Sequence, residues 1–165
     1  MAATWTVPAL LRAVARNAHH EVHFVQVTHL SSLTRPLQTS GRLIYRKPAT
    51  LIMEQERPTK ASYRIVNGRL YVNGQRGVPV RRVPQVMAIV SGFEGLLSGN
   101  RALLLHDYAV HLRGSARHWQ LSLVPRLPVL ARILRHIEVR GHDGEPTEVR
   151  TVAPGGDFSV MRLSP

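Results

Sequence analysis

Apolar and polar residues alternate through Thr34–Pro58, TRPLQTSGRLIYRKPATLIMEQERP, in a pattern that predicts two long strands joined by a tight connection at Arg46-Lys47-Pro48-Ala49. In the first strand Leu37, Thr39, Gly41, Leu43 and Tyr45 fall on one face, with Gln38, Ser40, Arg42 and Arg46 on the other. In the second, Leu51 and Met53 alternate with Ile52, Glu54 and Glu56, and Pro58 ends the run. Successive strand side chains point to opposite faces, so the pattern describes an antiparallel sheet with one apolar and one wetted face. Gly41, in mid-strand, marks a bend, a bulge or a close approach of backbones. A long sheet with one apolar face has to cover that face with something.

The rest of the chain supplies more sheet and a cover. Val7–Ala18 predicts an amphipathic helix: Pro8 suits its first turn, and Leu10, Leu11, Val14 and Ala15 share a face opposite Arg12 and Arg16. Glu21–His29 alternates as a strand around Phe24. Ala61–Asn73 predicts a hairpin about Asn67-Gly68, the favoured sequence of a type I′ turn. Val78–Val83 predicts a short strand, placed at an edge by Pro79. From Pro84 to Leu97 the period turns helical, through Val86, Met87, Ile89, Val90, Phe93, Leu96 and Leu97, with Gly92 and Gly95 interrupting. Each glycine costs about 1 kcal/mol of helix propensity, so this element suits a movable cover better than a fixed pillar. Further on, Ala102–His106 and Pro125–Arg132 predict short helical turns. Strands are predicted at Tyr108–Arg113, His118–Val124, Ile133–Arg140, Thr147–Val152 and Phe158–Leu163. About ten strands and a few helices predict a single α+β domain, mainly antiparallel β, built as one curved sheet with helices on one face. That domain takes in residues 1–165.

Phe24 and Gln26, followed by Pro36, Leu37, Ser40, Gly41, Leu43, Tyr45, Pro48 and Leu51, form an ordered series that resembles the LolA-like family of periplasmic lipoprotein carriers. The resemblance runs loosely over most of the chain. It is closest to the shorter, divergent LolA-related branch, through Leu123-Val124-Pro125-Arg126 and Ser159-Val160-Met161-Arg162. It implies a LolA/LolB-like fold: a curved, unclosed half β-barrel whose helices form a lid over a hydrophobic cavity. It implies a non-enzymatic, monomeric carrier in the periplasm, without a cofactor. Its cargo would be lipoprotein acyl chains or another hydrophobic or acylated molecule, moved toward the outer membrane. Donor and acceptor proteins at the inner and outer membranes would be its partners. The start, Met-Ala-Ala-Thr-Trp, has no charged n-region and no apolar h-region, so the resemblance further implies a signal peptide already removed. In the family an arginine before the proline of the strand-turn-strand motif latches the lid by bonding helix carbonyls. Here that position is Lys47, with Arg46 beside it, and lysine keeps the charge but not the planar multi-donor fork.

Charge adds a second picture. The net charge is +12 and the isoelectric point near 11.5, and every basic residue except Lys47 and Lys60 is arginine. Such a charge points to an anionic partner: nucleic acid, an anionic membrane surface or an acidic protein. It is equally what a solvated surface from an arginine-rich proteome would show. A basic nucleic-acid-binding module is the alternative reading, and it needs exposed aromatics interleaved with basic residues. Tyr45-Arg46-Lys47 and Tyr63-Arg64 come nearest, yet Tyr45 shares a face with Leu43 and so reads as core or cavity wall. A structural or assembly protein with a solid core is a third reading.

Catalysis finds little to stand on. The chain has no cysteine, which removes disulfides, thiolate metal sites and cysteine nucleophiles. His19-His20-Glu21-Val22-His23 is one residue short of the zinc-protease spacing, and it falls where helix gives way to strand. Glu54 and Glu56 have the spacing of a carboxylate pair but belong to a wetted strand face next to Arg57. His106 and Asp107 lack a serine in a nucleophile elbow, and no glycine-rich phosphate loop occurs. No metal site is expected.

The apolar face remains. Its expected cavity lining is Phe24, Leu37, Leu43, Tyr45, Leu51, Met53, Tyr63, Ile65, Trp119 and Leu121, with Val90, Phe93 and Leu97 on the lid. Arg46 and Lys47 are the expected latch or headgroup contacts. Each of these residues taken alone is as well suited to a packed core; the case for a cavity is collective.

Overall fold

The computed structural model describes residues 4–17, 21–46, 50–67, 69–75, 77–79, 96 and 101–165. The expected cover helix, apart from Leu96, and the Lys47-Pro48-Ala49 connection lie outside these residues.

Helix α1 spans Val7–Arg16. The Thr6 hydroxyl oxygen caps it by accepting from the Ala9 N–H at 3.3 Å, and Pro8 sits in the first turn, where its missing N–H leaves no gap. Ten residues do not hold a helix in water by propensity alone. What holds α1 is the burial of Leu10, Leu11 and Val14, each worth about 1.5–3 kcal/mol. The helix stops at Arg16, short of the expected Ala18, because Asn17 is already extended at ψ 128°.

Eleven strands among the described residues form one antiparallel sheet. They are β1 (Glu21–His29), β2 (Leu37–Arg46), β3 (Thr50–Arg57), β4 (Ala61–Val66), β5 (Arg69–Val72), β6 (Val78–Pro79), β7 (Tyr108–Gly114), β8 (Trp119–Pro125), β9 (His136–His142), β10 (Glu145–Val152) and β11 (Phe158–Ser164). The order across the sheet is β6-β5-β4-β3-β2-β1-β11-β10-β9-β8-β7. The first strand therefore lies beside the last, with His23 opposite Ser164 and His29 opposite Phe158. That one long-range pairing joins two runs of hairpins into a single curved, unclosed sheet with edges at β6 and β7.

The two central strands follow the alternation of their sequence. Gly41, Leu43, Tyr45 and Leu51 are buried, while Arg42, Ile44 and Ile52 turn to the other face. Gly41 marks a bulge: Ser40 pairs with Arg57 but Gly41 with Gln55, leaving Glu56 as the extra residue. A Cβ on Gly41 would run into the Glu54 carbonyl oxygen and come within 2.9 Å of Gln55 Cα, so only glycine fits. The Asn67 turn is also as expected, with φ 50° at Asn67. Two boundaries differ. The apolar pair Ile133-Leu134, expected to open β9, closes a helical turn instead: the Leu134 N–H donates to the Leu130 carbonyl oxygen at 2.9 Å. Beginning β10 at Glu145 rather than Thr147 reflects a second bulge, between Pro146 and Glu148.

Two short helices complete the cover, α2 (Arg101–Asp107) and α3 (Pro128–Ala131). The core lies between the sheet's concave face and these elements. It gathers Leu10, Leu11 and Val14 of α1, Leu104 of α2, Leu130 of α3 and Leu96 against Phe24, Leu43, Trp119, Leu121, Leu123, Val139, Val149 and Met161. Leu96 is thus the one described residue of the expected cover segment, and it is buried in the core.

Candidate functional site

The sheet and α1 do not meet everywhere. Where β10 bulges at Thr147, its turn with β9 rises toward the end of α1. There the Asn17 side-chain amide donates to the Gly144 carbonyl oxygen at 3.0 Å. Gly144 permits this approach, since a Cβ there would lie 2.7 Å from the Ala13 carbonyl carbon. Trp119 supports the turn from below: its ring lies against Gly141, and its indole N–H donates to the Asp143 carbonyl oxygen at 2.9 Å. Asp143 itself takes φ 51° to make the turn.

Between the pinned end of α1 and strands β1, β2, β3 and β11 a cavity of about 150 Å³ remains. Its walls are Val14 from the helix and Val22, Leu43, Tyr45, Leu51 and Leu163 from the sheet. Its mouth is polar, formed by Asn17, His142, Gly144, Glu145, Pro146, Thr147, Ser164 and Pro165. His142 stands 3.7 Å from Glu145 and 3.8 Å from Asp143, contacts longer than hydrogen bonds. An apolar interior with a few polar groups at one end is the usual construction of a small-molecule site. Nothing in the arrangement resembles a nucleophile with its base.

The expected lining residues divide. Leu43, Tyr45 and Leu51 lie on the cavity wall. Phe24, Trp119 and Leu121 are packed into the core, and Met53 packs against it half-buried. Ile65 is buried on β4 and Tyr63 half-buried beside it, neither on the cavity wall. Leu37 is 49% exposed, at the far end of β2. Arg46 is exposed where β2 ends, while Val90, Phe93, Leu97 and Lys47 lie outside the described residues. Sequence reasoning did not single out Val14, Val22, Leu163 or the His142–Thr147 turn as lining. The alternation of β11 and the apolar face of α1 were visible, but not that β11 lies next to β1.

The other candidates have ordinary explanations. Glu54 and Glu56 face Arg42 rather than Arg57: Arg42 donates to Glu21 at 2.9 Å and to Glu54 at 2.5 Å, and its Nε, screened from water, stands 3.6 Å from Glu56. The bond to Glu21, then that to Glu54, raises the Arg42 pKa above its ordinary value. Stability from this shift is complete below the ordinary arginine pKa and is lost only above it, so it is constant across the physiological range. Asp107 is buried and 2.8 Å from the exposed His106. His19 and His20 lie outside the described residues, among which no group of three potential ligands could hold a metal ion. Tyr45, the aromatic beside Arg46, is only 5% exposed, and Arg64 lies over Tyr71 at 5.1 Å. Tyr45 therefore offers no free face to a nucleotide base, and Arg64 is engaged with Tyr71.

A curved, unclosed antiparallel sheet whose concave face is covered by helices, with an apolar space left between them, defines a half-barrel protein of the LolA class. A family model described as outer membrane lipoprotein carrier protein LolA-like matches residues 2–164, and the chain belongs to that family. Among solved structures, a LolA superfamily protein from Nitrosomonas europaea superposes with a TM-score of 0.50 at 10% identity, over 98% of this chain and 93% of that one. A chain of the Pseudomonas aeruginosa MucA/MucB complex gives 0.49 at 12% identity, over 95% of this chain but 55% of that one. A putative outer membrane lipoprotein-sorting protein domain from Vibrio parahaemolyticus gives 0.45 at 9% identity, over 96% and 89%. At 10% identity the likeness to the Nitrosomonas europaea protein is one of fold alone. No curated protein matches the chain in sequence.

Proposed function

We propose that this protein is a non-enzymatic carrier that holds lipoprotein acyl chains, or another hydrophobic or acylated molecule, between its sheet and its helices. It works as a monomer in the periplasm, receives cargo from an inner-membrane donor and delivers it toward the outer membrane. The observation that carries this reading is the apolar cavity walled by Val14, Val22, Leu43, Tyr45, Leu51 and Leu163, in a chain of the LolA-like family. Burying acyl chain there contributes about 0.8 kcal/mol per methylene. A cavity of about 150 Å³ takes a benzene-sized group, so it holds a segment of chain and the rest extends beyond it. The polar mouth at Asn17, His142 and Glu145 suits the amide or ester that joins an acyl chain to its carrier molecule. Arg46 and Lys47, at the end of the strand that bears Tyr45, are the proposed latch or headgroup contacts.

Native mass spectrometry of the protein purified from its own host tests the proposal. A bound mass matching an acylated molecule, released on denaturation, is expected. A bare chain from repeated gentle preparations contradicts it.

A further inference from the structure

The two ends of the sheet differ in what they expose. The cavity mouth lies at the end with the β9–β10 turn. The opposite end carries the β1–β2, β3–β4, β8–β9 and β10–β11 connections, brought level by the pairs Thr28–Leu37, His29–Phe158, Val152–His136 and Leu123–Ile137. These connections are tied to one another. The Ser31 N–H donates to Asp157 at 2.8 Å, and the Arg135 N–H donates to the Val152 carbonyl oxygen at 2.7 Å.

This rim presents Leu33, Leu37, Val124 and Val129 to solvent, 43%, 49%, 44% and 38% exposed. Between them stand exposed cations: Arg35 on the first connection, Arg57 and Lys60 on the second, Arg126, Arg132 and Arg135 around α3. The acidic groups at this end are fewer. Asp107 is buried against His106, Asp157 accepts from Ser31, and Glu56 faces Arg42.

We infer that this rim is a docking surface for an anionic phospholipid bilayer. The aliphatic tips enter the boundary between headgroups and acyl chains, while the arginines and Lys60 sit at the phosphates. The apolar residues fall in two pairs, Leu33 and Leu37 at the β1–β2 connection and Val124 and Val129 about the β8–β9 connection, each pair beside exposed arginines. Aliphatic tips also give nucleic-acid bases nothing to stack on. Among the described aromatics at this end, Phe158 is engaged by His29 at 4.6 Å and by Arg150 at 4.7 Å, and Tyr108 is buried. Docking by this rim turns the cavity mouth away from the bilayer, and the inference stands whether or not the cavity holds cargo.

Co-sedimentation of the whole chain with vesicles tests it. Vesicles of phosphatidylcholine with phosphatidylglycerol should bind the protein, less so as salt rises, and vesicles of phosphatidylcholine alone should not. R126A/R132A/R135A should weaken binding about fivefold per arginine, on the order of a hundredfold in all, whereas R113A/R117A, at the other end of the sheet, should change it by less than about twofold. L33S/L37S keeps every charge, alters only exposed side chains and should also weaken binding, so it carries the test if the triple variant does not fold. Absence of binding to anionic vesicles, equal losses from the two arginine variants, or tight oligonucleotide binding without vesicle binding would each overturn the inference.

Discussion

Asn17 and Gly144, 127 residues apart in sequence, hold the end of α1 to the sheet by a 3.0 Å hydrogen bond. The contact sets the height of the helix above the strands, and so the depth of the cavity below it. Replacing Gly144 by alanine forces the helix end to move, because the α1 backbone at Ala13 and Val14 blocks the new methyl group. A loss of about 1–3 kcal/mol is expected, each kcal/mol lowering Tm by roughly 2–4 °C. Asn17→Ala removes the bond without adding a clash, at a cost of about 1 kcal/mol. Thermal denaturation ranks the two; a neutral Gly144→Ala would show that the turn does not press on the helix.

Gly41 offers a parallel test at the β2–β3 bulge. Gly41→Ala drives a methyl group against the Glu54 carbonyl at the bulge, and it should destabilise the chain by about 1–3 kcal/mol or more. An unchanged denaturation midpoint would mean that β2 and β3 shift register without difficulty.

The strands were legible because alternation with period two survives wherever one face is buried, as at Leu43, Tyr45 and Leu51. The Asn67 turn and the special role of Gly41 were legible for reasons of backbone sterics. Ile133 and Leu134 were misread as strand, since a short apolar run does not say whether it closes a helical turn or enters a sheet. The cavity was half legible. Alternation tells which face a residue occupies, not whether packing or space lies above it; hence Phe24, Trp119 and Leu121 were grouped with Leu43, Tyr45 and Leu51. Val22 and Leu163 escaped notice because their neighbourhood depends on the β1–β11 pairing, which has no local signature.

That division makes a prediction. Leu51→Trp fills open space, so it should reduce acyl-ligand affinity at least about tenfold at little cost in stability. Leu121→Ala empties packed space and should cost about 2–5 kcal/mol, while the folded fraction keeps its ligand affinity. Titration of a fluorescent fatty acid, alongside denaturation, reads both. The reverse pattern would move the binding site into the β8 side of the core.

On the outer face, Arg42 bridges three carboxylates that would otherwise repel one another, those of Glu21, Glu54 and Glu56. Arg42→Ala should lower Tm, and the deficit should shrink as salt rises, because the network is exposed and screened. A deficit independent of salt would assign the loss to packing of the arginine stem.

The central claim is that the space beneath α1 receives an acyl chain. Saturated fatty acids of increasing length, titrated against the whole protein by calorimetry at fixed salt, test it most directly. Affinity should rise by a factor of about four for each added methylene, from roughly 0.8 kcal/mol apiece, and then level off once the space is full. The binding should be nearly independent of ionic strength. No saturable binding at any chain length, or binding that weakens steeply with salt and ignores chain length, would contradict it.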